Sequence, residues 1–223
     1  MDDNPEQAFT NIFKSGSAQV LITDGSEVII DSLIKDGILK DFPIVGSAIN
    51  IVKLGKWISD FSFQRKLLNF FSKTEEIPED DRINFIIELE DKTKQNAGEY
   101  LITYLDRLDD NRKALIIGNL IISKAEKMLS MEDFLRFAHL LPRVFYFDLI
   151  KLPEYINMKT TQDPRYDKRV AASLEDAGLL RHGVYTGDLG GNGMYQELFQ
   201  NEYGKKLVEF GRFDPGSVVQ SSN

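Results

Sequence analysis

The chain has 223 residues, 42% hydrophobic and 28% charged, with 15 Phe and 8 Tyr available for a core and a formal net charge of −8. This is an ordinary globular composition, long enough for one large or two small domains. It holds no cysteine, which excludes disulfides, thiolate zinc sites and cysteine nucleophiles, and no run of 18 apolar residues offers a membrane-spanning helix.

The opening MDDNPEQAF is acidic and polar, unlike a secretory signal. Residues 1–26 read as a partly ordered lead-in, with a short helix near Pro5–Phe13 and the turn-like TDGS after it. A helical domain is expected over 27–156. Its first segment, 27–40, carries helical periodicity through Val28 and Leu33 until Gly37 weakens it. Pro43 suits the first turn of the next helix, which should run to about Ser72.

That helix is one of two places where function could reside. Its start, FPIVGSAINIV, is free of charge, and its remainder is amphipathic and basic. Phe42, Ile44, Lys53, Lys56 and Trp57, the sole tryptophan, form a set suited to a membrane interface or a partner. The competing reading is a core helix. Residues 35–73 hold seven bases and three acids, whereas 74–111 hold twelve acids and four bases. The two blocks either pair within the fold or leave the basic one for an anionic surface.

Further helices are expected over 79–95, with Asp80 and Asp81 favoured in its first turn, and over 97–108, where Leu101, Tyr104, Leu105 and Leu108 share a face. Asp109 and Asp110 can cap a helix over 111–128. Ser130 to Asp133 resembles a capping box, and Pro142 should stop the helix it opens before the aromatic VFYFDLIKL. His139 reads as a core or boundary residue, and His182 as an exposed strand residue.

The polar run 157–163 suggests a linker to a terminal module over 157–213, followed by a flexible tail over 214–223. Asp163-Pro164 reads as a helix start, Val170, Leu174 and Ala177 as its apolar face, and Gly178 as its left-handed stop. A strand from Leu179 leads into a loop with Gly187, Gly190, Gly191, Asn192 and Gly193, where Asn-Gly favours a hairpin turn. Tyr195 and Leu198 lie on the return, and Asn201 can cap a last helix that ends at Gly211.

Ala177-Gly178-Leu179-Leu180 and Tyr203-Gly204-Lys205-Lys206-Leu207 resemble the wing region of winged-helix proteins. Asn201 stands where a capping threonine is usual there, and Gln200 where a leucine is usual. The fold class implied is mainly α: an N-terminal helical bundle followed by a small winged-helix-like α/β-hairpin module. DNA binding needs surplus cations. Residues 159–213 carry eight bases and eight acids, and no base lies between Gly183 and Tyr203. Arg165, Lys168 and Arg169 remain as DNA contacts from the helix.

No HExxH, no paired histidines and no GxSxG occur, and GDLGGNG lacks the GK[ST] of a phosphate loop. No catalytic residue, metal or cofactor is expected. The uncharged Pro43 to Gly46, the stretch Ser130 to Leu152 and the wing over Gly178 to Gly211 resemble bacterial abortive-infection alpha proteins. That resemblance implies a phage-defence role and transfers no catalytic residue. The expectation is a non-enzymatic cytoplasmic interaction protein, peripheral at the inner membrane in one form. It would contact a protein partner, itself or the membrane surface. The rival is a winged-helix transcription regulator that binds DNA.

Overall fold

A computed structural model describes residues 5–15, 61–186, 195–199 and 201–213. The described chain is mainly helical. It gathers into two units, Met1–Ala138 and His139–Asn223.

In the first unit, α1 (Pro5–Ser15) is a core element rather than a lead-in. Phe9 and Phe13, four residues apart, share one face and are buried. Phe9 meets Phe70 and Phe71 at ring distances of 5.7 and 5.0 Å, and Phe13 meets Phe70 and Phe85 at 5.9 and 5.7 Å. α1 packs on α4 (Ala97–Arg107) and α3 (Glu79–Thr93). The close approach falls at Gly98, where a Cβ would lie 2.2 Å from the Glu6 carbonyl oxygen. Arg82 closes the far end, its Nε donating to the Lys14 carbonyl at 3.2 Å and its Nη1 to the Ile77 carbonyl at 2.6 Å. A cation suits the negative end of a helix dipole.

α2 (Phe61–Thr74) is the described end of the long segment expected to run to Ser72. Phe63, Leu67, Leu68, Phe70 and Phe71 are all buried, so this part is core. It crosses α5 (Lys113–Ala125) tightly: a Cβ at Gly118 would fall 2.5 Å from the Lys73 Cβ. α5 is the central helix, buried along most of its length. Its Lys113 side chain is fully buried and ion-paired to Asp109. The helix expected over 111–128 starts later, at Lys113, because Asp110 accepts from the Arg112 N–H and guanidinium, which holds a turn instead, and it ends at Ala125.

The four apolar positions expected on α4 are buried together. None of the twelve acids over 74–111 is buried, so they form a solvated face. Between the basic and acidic blocks, Lys73 pairs with Glu76 at 3.2 Å, while Lys66 donates to the Asp106 backbone carbonyl at 2.9 Å. Glu88 on α3 instead pairs with Lys124 on α5 at 2.7 Å. α6 (Met131–Leu140) opens as expected: the Ser130 hydroxyl accepts from the Asp133 N–H at 3.0 Å. It gives way to a 3-10 turn over Leu141–Arg143, which contains Pro142.

The second unit begins inside α6 and includes the short α7 (Tyr146–Leu149) and α8 (Leu152–Ile156). The helical domain expected over 27–156 includes these two. They pack instead on later elements: α7 on α9 (Lys168–Asp176), and α8 on α10 (Glu202–Gly211). Gly204 explains the second contact, because its missing side chain leaves room for the Leu179 carbonyl and for Leu152.

α9 does not start at Asp163-Pro164. Asp163 spends its carboxylate on the N–H and guanidinium of Arg165, and the cap is Asp167, which accepts from the Arg169 N–H at 2.8 Å. Asp167 is fixed in turn by the buried Tyr155, whose hydroxyl accepts from the Asp167 N–H at 2.7 Å and donates to its carbonyl at 3.1 Å.

α9 ends as expected. Gly178 has φ +72°, its N–H reaches the Glu175 carbonyl, and the Leu179 N–H reaches that of Leu174. β1 (Arg181–Thr186) and β2 (Tyr195–Phe199) form an antiparallel pair, with Arg181 opposite Phe199 and an irregularity between His182 and Tyr185. Asn201 caps α10 by accepting from the Tyr203 N–H at 2.9 Å. The helix stops beyond Gly211 at Arg212, which takes the left-handed conformation (φ 46°).

Candidate functional site

The clearest surface feature of the second unit is a pair of aromatic rings. Leu141, Val144, Tyr146 and Leu149 point into the core. The backbone is extended at Phe145 before α7 begins, so side chains around it alternate between core and solvent. Phe145 and Phe147 therefore face out, 56% and 47% exposed. Their ring centroids lie 5.4 Å apart, and Phe147 rests edge-on against the buried Tyr146 at 5.7 Å. The rings are thus held by the core beneath them.

Cations flank the pair along the chain, Arg143 before it and Lys151 after it. Arg143 is exposed and its guanidinium donates to His139 Nε2 at 3.0 Å. His139 is exposed rather than core, because it falls on the outer face of α6 at its last turn. Lys151 is exposed and lies close enough to Asp167 to favour that carboxylate. The hydrogen bond from the Arg169 backbone holds Asp167 below the usual carboxylate range over the opposing desolvation, with smaller help from the Arg169 charge, the Val170 N–H and the Lys151 charge.

The three cations expected as DNA contacts are not equivalent. Arg165 is committed to Asp163, with Nε and Nη2 at 2.9 and 2.7 Å from its two oxygens. Lys168 and Arg169 are exposed at the start of α9, with Arg169 Nε 3.8 Å from Asp167. Phe42, Ile44, Lys53, Lys56 and Trp57 lie outside the described residues, as do Gly187, Gly190, Gly191, Asn192 and Gly193.

Sequence reasoning noted the aromatic stretch but singled out neither Phe145 nor Phe147. The signal was present: four large apolar residues in a row, one residue after a helix-stopping proline, cannot all reach one core. Among the described residues, no three His, Asp or Glu side chains gather as metal ligands, and no helix is long and apolar enough to cross a membrane. Compared with protein-family models, with curated proteins and with solved structures, the chain matches none.

Proposed function

We propose that the protein acts by docking rather than by catalysis, and that the second unit carries the docking surface. One observation supports this reading: Phe145 and Phe147 are exposed side by side on a rigid base. Single exposed apolar residues are common on any surface, whereas rigid aromatics in contact are the usual anchors of binding sites. The resemblance to abortive-infection alpha proteins gives the setting, a cytoplasmic bacterial sensor or effector of phage defence that meets a partner or the inner membrane face.

The rival, a winged-helix regulator, draws on the order α9, β1, β2, α10 and on the exposed Lys168 and Arg169. Its weakness is the balance of eight bases and eight acids over 159–213.

The test is recovery from the native host. Tagged full-length chain is captured with membranes retained, beside a Phe145→Ser/Phe147→Ser double variant shown to fold by circular dichroism. The double variant should recover at least ten-fold less of the associated component. Equal recovery removes the docking reading. A DNA shift at low salt that disappears when Arg165, Lys168 and Arg169 are replaced would put the regulator in its place.

A further inference from the structure

We propose that what the aromatic pair meets is an anionic lipid surface, an inference that rests on the docking reading above. The size of the pair is the first reason. A whole Phe side chain carries about 200 Å², so exposures of 56% and 47% offer about 200 Å² together. A specific protein interface removes about 800 Å² from each partner. The pair is far short of that, and Tyr203 is the only other large hydrophobic of the second unit that stands exposed among the described residues. A lipid surface asks for no matching shape, and two rings sunk among headgroups are a sufficient foothold when charge adds to them.

Charge is the second reason. Arg143 and Lys151 bracket the rings in the chain. α7, which carries Phe147, packs on α9, whose first turn presents Lys168 and Arg169. Lys151 stands at the start of α8, whose Tyr155 hydroxyl bonds the Asp167 backbone at that same turn, so exposed Lys151 lies on the element that meets the α9 end carrying exposed Lys168 and Arg169. The acids of the region are Asp148, Glu154, Asp163 and Asp167; Asp163 is held by Arg165, and Asp167 caps α9 with Arg169 Nε 3.8 Å from it. Each basic residue near an anionic leaflet adds to the attraction, and the contribution fades within a Debye length. Aromatic rings beside lysine and arginine are the combination that interfacial segments use.

The experiment is flotation of the full-length chain with vesicles of phosphatidylcholine alone or with phosphatidylglycerol at about a third of the lipid, at low and at physiological salt. The wild type should float with the anionic vesicles at least ten-fold more than with the neutral ones, and less as salt rises. Phe145→Ser/Phe147→Ser should abolish flotation. Lys151→Gln/Lys168→Gln/Arg169→Gln should lower it on anionic vesicles while leaving the weak neutral binding unchanged. No flotation overturns the inference, and so does flotation that survives both serines through some other part of the chain. If vesicles are ignored while host capture still depends on the two phenylalanines, the partner is a protein. The lipid assignment then fails and the docking reading stands. If neither depends on them, both fail.

Discussion

A single methyl group distinguishes two glycines of the second unit. At Gly204 an added Cβ would sit 2.2 Å from the backbone oxygen of Leu179, which cannot swing aside. At Gly178 nothing lies within 4 Å, but φ is +72°. Gly178→Ala therefore carries only the left-handed penalty, about 1 kcal/mol, whereas Gly204→Ala forces α10 off Leu179 and Leu152 at about 3 kcal/mol. Denaturant unfolding of both variants checks the ranking, and equal losses would mean that α10 shifts freely. Asp163 makes a second residue-scale prediction. Hydrogen bonds from the Arg165 guanidinium and then from its N–H lower its pKa to about 2, against weak opposition from desolvation. A carboxyl depressed in the folded state contributes stability above its unfolded pKa, about 3.9. That contribution is lost as the pH falls through about 2. The Asp163 carboxyl carbon should titrate near that lower value by NMR, and Arg165→Ala should return it toward the ordinary range. Titration near the ordinary value in the intact chain would show that the fork is absent in solution.

The elements that could be read from the sequence are those whose ends are settled by neighbours in the chain. Ser130, Asn201 and Gly178 each do their work within a few residues, through hydrogen bonds that a short window contains. The face of Leu101, Tyr104, Leu105 and Leu108 needs only helical spacing. Reading failed where distant atoms decide. Asp163 and Asp167 are equally good caps by type, and the choice between them is made by the Tyr155 hydroxyl, which sits on α8. An isolated helix as short as α1 is marginal in water. It becomes core because Gly98, far along the chain, lets its backbone approach and because Arg82 closes its end. The aromatic pair was half legible: the run Val144 to Phe147 announces that some rings must face out, but which ones depends on the extended backbone at Phe145.

For the whole molecule, the boundary between units was the least legible feature, since nothing in composition changes near residue 139. Sequence places α7 and α8 with the helices before them, while packing places them with α9 and α10. A test follows from which contacts each core depends on. Phe13 reaches Phe70 and Phe85, so Phe13→Ala removes a ring from the core of the first unit, at about 3–5 kcal/mol. Gly204→Ala strains only contacts of the second. If each unit opens as its own cooperative body, amide exchange measured peptide by peptide will separate the two variants. Phe13→Ala should speed exchange in α2 to α5 and spare α9 and α10, and Gly204→Ala should do the reverse. α6 is the element to watch, because its helix runs through the boundary between Ala138 and His139. Faster exchange throughout the chain in both variants would show that this helix couples the two cores into one folding unit.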